Sequence, residues 1–102
     1  MDEKMCPKFE AAIELFGKRW TGLIVRSLLS GPKRFKEISQ IIEQMSDRML
    51  SERLKELEAA GIVLRRVYNE VPVRIEYELT EKGRELRPMI EACERWANKW
   101  ME

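Results

Sequence analysis

The sequence predicts a mainly helical α+β fold, and three observations carry that prediction. Apolar residues recur at helical spacing from Phe9 to Leu57, the pattern switches to strand-like alternation between Ile62 and Leu79, and a final helical stripe runs from Leu86 to Trp100. At 102 residues, the chain is expected to form one domain spanning 1–102. Hydrophobic residues at 44% and charged residues at 36%, with 5 Gly and 4 Pro, fit a folded, helix-rich chain rather than a disordered one.

The elements follow in order. Phe9, Ala12, Ile13 and Phe16 mark a first helix, with Gly17 expected as its C-terminal cap. Trp20, Leu23, Ile24 and Leu28 mark a second, stopped by Gly31-Pro32, and Phe35, Ile38, Ile41 and Ile42 a short third. After a polar turn at Gln44-Met45-Ser46, Ser46 or Asp47 is placed to cap a fourth helix, whose Leu50, Leu54 and Leu57 face inward and which Gly61 ends. Ile62, Leu64, Arg66 and Tyr68 alternate with the residues between them, as do Val73, Ile75, Tyr77 and Leu79, which makes a hairpin. A four-residue turn at Asn69-Glu70-Val71-Pro72 would set Leu64 opposite Tyr77 and Ile62 opposite Leu79 on a buried face, with Arg65 facing Glu76. Thr80 is expected to cap one last helix carrying Leu86, Met89, Ile90, Cys93, Trp96, Ala97 and Trp100, bent where Pro88 removes a ladder bond.

Three helices, a tight turn before a fourth and then a two-stranded ribbon is the element order of a winged helix-turn-helix. In that motif the fourth helix enters the major groove N-terminal end first and the ribbon reaches the flanking backbone. The groove face is then Ser46, Asp47, Arg48, Ser51, Glu52 and Lys55, and the wing runs from Asn69 to Arg74. Arg48 is the first choice for reading a base, because its fork matches guanine O6 and N7. Ser51 suits a base edge or a phosphate, and Lys55 the backbone. For Glu52 and Lys55 an exposed helix pair is an equal reading, and Arg53, beside the apolar stripe, suits a structural or phosphate-clamping role. Arg74 is expected to track phosphate or the minor groove, with Arg65 and Arg66 as weaker support.

The net charge is only +1, from 19 basic and 18 acidic residues, but its distribution is uneven. Residues 17–36 hold Lys18, Arg19, Arg26, Lys33, Arg34 and Lys36 and no acid, whereas residues 37–80 hold nine acids and six bases. Lys33, Arg34 and Lys36 fall where the third helix starts, a usual place for phosphate contacts. Asp47, Glu52 and Glu56 repel the duplex, so one copy should bind weakly and a two-fold dimer would double the interface. Trp96 and Trp100, four apart, exceed what the last helix could bury against a thin hairpin. Phe9 and Ile13 of the first helix, with Trp96 and Trp100 of the last, are the expected dimer surface.

The chain contains no His, which removes imidazole acid–base chemistry, Ser-His and Cys-His nucleophiles and His-containing zinc sites. An enzyme is therefore not expected, nor is any cofactor or metal. Cys6 and Cys93 lie far apart without CxxC spacing, and in a reducing compartment start as thiols. The stretch Met1–Pro7 lacks an apolar leader and no stretch is long enough to span a bilayer, so a cytoplasmic, non-membrane protein is expected.

The runs Cys6-Pro7, Gly17-Lys18-Arg19-Trp20, Gly31-Pro32-Lys33-Arg34-Phe35-Lys36-Glu37-Ile38, Leu50 to Glu58, Gly61-Ile62-Val63, Val71-Pro72 and Tyr77-Glu78-Leu79-Thr80-Glu81-Lys82-Gly83 together resemble the HxlR-type bacterial transcription regulators, relatives of the MarR superfamily. The resemblance covers nearly the whole chain. It implies a homodimeric DNA-binding regulator, commonly a repressor, that recognises an inverted repeat in double-stranded DNA. It also implies the branch that senses quinones, other electrophiles or oxidants through an N-terminal cysteine, here Cys6, by alkylation or by disulfide exchange. The exchange partner is sometimes a C-terminal cysteine of the other subunit. Cys93 lies within the last helix rather than beyond it, and on the apolar stripe it reads as packing. From the residues alone, Cys6 is either a reactive thiol flanked by Lys4 and Lys8 or an unreactive one in a mobile arm. A winged-helix module for protein–protein assembly, without redox sensing, is the alternative function.

Overall fold

The computed structural model describes residues 4–102; Met1, Asp2 and Glu3, part of the stretch read above for a leader, lie outside the described residues. Its elements run α1 (Pro7–Gly17), α2 (Thr21–Leu28), α3 (Phe35–Ile41), α4 (Asp47–Ala59), β1 (Val63–Tyr68), β2 (Arg74–Leu79), α5 (Glu81–Arg84) and α6 (Arg87–Trp100). This is a winged helix-turn-helix, mainly helical, with one antiparallel hairpin.

The core forms where the helical stripes meet. Ile24, Val25 and Leu28 of α2, Ile38 of α3, and Leu50, Leu54 and Leu57 of α4 are all buried, joined by Ile42, Met45, Ile62, Val63, Leu79 and Ile90. Met45 thus turns the α3–α4 connection inward, although its neighbours are polar. Ser46 caps α4 by accepting the Met49 backbone N–H at 3.1 Å, and Ser39 of α3 donates to Asp47 Oδ1 at 2.9 Å. Both bonds fix the angle of α4 against α3 and help satisfy groups that a helix start leaves open.

The hairpin register differs from the sequence expectation by one residue. Val63 pairs with Leu79, Arg65 with Tyr77, Arg66 with Glu76 and Tyr68 with Arg74, because the loop holds five residues, 69–73, rather than four. Leu64 is consequently exposed and Arg65 does not face Glu76. Ile62 sits just before β1 rather than within it, and Ile62 and Val63 are both buried. Strand alternation fails there because the chain is covered on both sides as it leaves α4. Lys33 adds a third rung: its backbone N–H and C=O pair with Tyr77 at 2.9 and 2.8 Å, so β2 is flanked on both edges.

Two terminator assignments also change. Gly17 is the last helical residue of α1, and the left-handed residue is Trp20, with φ of 80° at the start of α2. Pro88 does not bend one long helix. The chain breaks at Glu85-Leu86, and Pro88 lies in the first turn of α6, where its missing N–H leaves no ladder bond unmade. Gly83, inside α5, lets that helix press directly onto the chain just before β1. A Cβ at Gly83 would stand 2.4 Å from the Ile62 carbonyl oxygen. Thr80 completes the junction by taking the Gly83 N–H at 3.1 Å and donating to the Gly61 carbonyl at 2.6 Å, while Lys82 reaches the Ala60 carbonyl at 2.7 Å.

The terminal helices stand away from this core. No residue of α1 is buried, and α6 buries only Ile90. The radius of gyration is 15.3 Å, with extents of 60 × 32 × 23 Å; a compact chain of this length would have a radius near 13 Å. No helix among the described residues is long and apolar enough to cross a membrane.

Candidate nucleic-acid interface and thiol site

The exposed side of α4 starts with Arg48, whose side chain is 89% exposed. Its Nε donates to Glu52 Oε1, one turn on, at 3.3 Å. That contact leaves both terminal guanidinium nitrogens free to fork. Lys55 is exposed and Ser51 half-buried on the same helix. Ser46 and Asp47 are brought to the helix start as expected, although each already serves the fold through its bond to Met49 or Ser39. Arg53 turns the other way. Its side chain is only 17% exposed, and it donates to the Arg19 carbonyl at 3.1 Å and to Glu56 at 2.9 Å.

Around α3, Arg34 and Lys36 are exposed, while Lys33 is half-buried by its pairing with Tyr77 and its ammonium donates to Ser30 Oγ at 2.9 Å. The Glu37 carboxylate accepts the Arg34 backbone N–H at 2.8 Å, so an acid already sits against the start of α3. Any anion here must be drawn by the Arg34 and Lys36 side chains rather than by the helix end.

The wing carries an arrangement that the sequence reading missed. Arg74 donates to Glu70 at 3.0 Å and to Glu76 at 2.8 Å, and its guanidinium lies 3.7 Å from the Tyr68 ring centroid. The two carboxylates hold its pKa above the ordinary arginine value, and Arg74 in turn holds the Glu70 carboxyl below the usual carboxylate range. Arg66 is engaged by Glu78. With five residues in the loop, Tyr68 and Arg74 become cross-strand partners, a pairing that the four-residue turn expected from the sequence hid. Arg65 is exposed and makes no ion pair among the described residues; the loop tip presents Val71 and Val73, both exposed.

If Arg48 reads a guanine, Arg48→Ala is expected to cost about 1 to 3 kcal/mol of operator affinity and to flatten preference at one position per half-site. Binding to a panel of singly substituted duplexes measures this, and an equal loss on every sequence would make Arg48 a phosphate contact instead.

Cys6 occupies the N-cap position of α1, exposed, immediately before Pro7. Next to it runs an apolar ridge of Met5, Phe9 and Ile13, each more than half exposed. On α6, Met89, Cys93, Trp96 and Trp100 recur four, three and four residues apart along one side and are all exposed. Cys93 therefore does not pack within its own protomer as the stripe suggested. Between α1 and α5 lies an open groove of about 610 Å³, lined by Leu15, Phe16, Ile62 and Leu86 among others. No group of His, Cys, Asp and Glu among the described residues is arranged to hold a metal ion.

The model of the HxlR-like helix-turn-helix family matches residues 15–102. The chain belongs to the HxlR-like helix-turn-helix family, and its role is that of a transcriptional regulator. The HTH-type transcriptional regulator YodB of Bacillus subtilis (strain 168) is 51% identical over 102 residues, covering 100% of this chain and 91% of that protein. The reduced form of B. subtilis YodB superposes with a TM-score of 0.86 at 52% identity, over 97% of each chain. The quinone-bound form of YodB gives 0.81 at 49% identity, over 94% of this chain and all of that one. The family match thus takes in the hairpin, α4 and the Thr80–Gly83 junction, and the YodB matches extend it through α1.

Proposed function

We propose that this chain acts as a homodimeric repressor that binds an inverted repeat in double-stranded DNA and is released when quinones or other electrophiles modify Cys6. The observation that carries the reading is the position of Cys6: an exposed thiol at the head of a helix that rests on its own protomer only through the partly buried Leu15 and Phe16 near its far end and leaves Phe9 and Ile13 open. Such a helix has its apolar side left for a second copy, so a group added at Cys6 acts where two copies would meet. The similarity to a regulator solved in reduced and quinone-bound forms supports the same chemistry.

In this reading α4 lies in the major groove. Arg48 forks onto guanine, Ser46 and Ser51 meet base edges or phosphates at the helix start, Asp47 is limited to accepting from a base amine such as cytosine N4, and Lys55 follows the backbone. Lys33, Arg34 and Lys36 meet phosphates on the flank. Arg74 reaches phosphate only by exchanging Glu70 or Glu76 for it, so Arg65 is the readier cation on the wing. Phe9 and Ile13 of α1, with Trp96 and Trp100 of α6, close the dimer and set the spacing of two recognition helices, about 34 Å for adjacent half-sites.

The sensing step is an addition. The Cys6 sulfur forms a bond to a ring carbon of the quinone, the thiol proton passes by way of solvent to one quinone oxygen, the C–H bond at the attacked carbon breaks and its proton passes to the other oxygen, and the ring becomes a hydroquinone thioether with no leaving group. Footprinting the DNA upstream of this gene and its neighbours tests the proposal. A two-fold protected site that 1,4-benzoquinone removes is expected. Protection that salt does not weaken, or no protection at all, would favour the assembly module.

A further inference from the structure

Helix α1 has to influence α4 if a change at Cys6 is to affect DNA, and within the protomer the residues just after α1 reach across to α4. Lys18 and Arg19 follow directly after α1. Lys18 Nζ lies 3.3 Å from Glu56 of α4, and the Arg19 carbonyl accepts the Arg53 Nε–H of α4 at 3.1 Å. Arg53 also pairs with the same Glu56 at 2.9 Å, so one carboxylate collects both cations. Residue 20 is then held in the left-handed region, at φ of 80°, which is costly for any side chain bearing a Cβ. The Arg19 guanidinium lies 4.4 Å from the Trp20 ring centroid. Three residues thus form a stiff elbow between α1, which has no fully buried residue, and α2, which is core.

We propose that Arg53 and Glu56 are positioning residues that couple the sensing helix to the recognition helix, by gripping the Lys18-Arg19 elbow so that a swing of α1 tilts α4. This rests on the reading of Cys6 as the sensor. Arg53 turns away from the side of α4 that carries Arg48, Glu56 lies two turns further along, and their ties to residues 18 and 19 leave the Arg48 fork untouched. The Gly17-Lys18-Arg19-Trp20 run is on this view the sequence signature of the joint.

The test uses the full chain and a duplex selected by it from a randomised pool, with affinity read by fluorescence anisotropy and Cys6 modification by intact mass. For the wild type, 1,4-benzoquinone is expected to weaken binding at least about tenfold, within the usual range of coupling between sites. Glu56→Gln keeps the shape and removes both ion pairs. Because it also removes one of the acids that repel the duplex, it is expected to bind as tightly as wild type or a few-fold tighter when reduced, to be alkylated as completely, and yet to lose most of the quinone effect. Arg53→Lys keeps the charge but is too short in donors to hold Glu56 and the Arg19 carbonyl together, and should fall between the two. A wild-type quinone response in both variants overturns the coupling. So does a loss of reduced-state binding in both as large as quinone causes in wild type, since the elbow would then only support the fold. A wild type that stays bound when alkylated overturns the sensing reading, and the coupling with it, before any variant is compared.

Discussion

Deleting residues 91–102 is expected to leave a folded winged helix that no longer dimerises, and to lower affinity for a two-fold operator by about two to four powers of ten. The cut spares Ile90, the buried residue of α6, and Arg87, which donates to the Leu29 carbonyl at 2.8 Å. What it removes is Trp96 and Trp100, at 60% and 65% exposed, together with the Glu94 partner of Arg26. Trp side chains this open contribute little to the protomer, so their removal should cost it little, while a dimer seam would lose its main apolar contacts. Without the seam the second half-site binds from bulk solution rather than at a high effective concentration. Sedimentation shows the outcome, and a truncated chain that is still a dimer would move the seam to α1 alone.

Gly83→Ala is expected to destabilise the fold by about 2 to 3 kcal/mol, which for a chain of this size lowers Tm on the order of 10 °C or more. The added carbon would meet the Ile62 carbonyl at 2.4 Å and Leu79 Cδ2 at 3.1 Å. The first of these is backbone and is already used by the Thr80 N–H at 2.9 Å, so relief requires α5 to lift off β1. Gly22→Ala is the control. Nothing lies within 4 Å of a Cβ there, and in the first turn of α2 the substitution should be neutral or stabilising by a few tenths of a kcal/mol, since alanine leaves the unfolded chain less freedom than glycine. Thermal denaturation of both variants decides the point. A Gly83→Ala protein that melts with the wild type would mean the α5 junction is looser than its geometry.

The helices of the core were legible because their signals are local and redundant. Leu50, Leu54 and Leu57 share one face of α4, Ser46 supplies the cap, and both features survive in the structure. The hairpin was legible as a hairpin but not in its register, because register depends on loop length, and nothing in Asn69 to Val73 specifies five residues rather than four. The division of the C-terminal region into α5 and α6 was not legible: the close approach of Gly83 to Ile62, twenty-one positions earlier, is a long-range contact that helical periodicity does not encode.

The candidate site divides in the same way. Residue type and position on α4 were enough to single out Arg48, which the structure leaves exposed with its fork free. Arg74 was chosen for its charge and its place near the wing, but long-range geometry surrounds it with Glu70, Glu76 and Tyr68. The motifs that carry the family resemblance are largely motifs of assembly. Gly17 to Trp20 forms the elbow, and Thr80 to Gly83 locks α5 to the strand, while the exposed residues of α4 proposed to face DNA sit among them with fewer internal partners.

The most direct measurement is a quinone titration of the DNA complex for the wild type, Cys6→Ser and Cys93→Ser. Serine nearly keeps the size of the side chain and lacks the nucleophilic thiolate. Cys6→Ser is expected to bind DNA as the wild type does and to remain bound in the presence of 1,4-benzoquinone, whereas Cys93→Ser should be released like the wild type, by a loss of at least about 1.4 kcal/mol, or tenfold. A Cys6→Ser protein that quinone still releases, or a Cys93→Ser protein that it no longer releases, would contradict the assignment of sensing to Cys6.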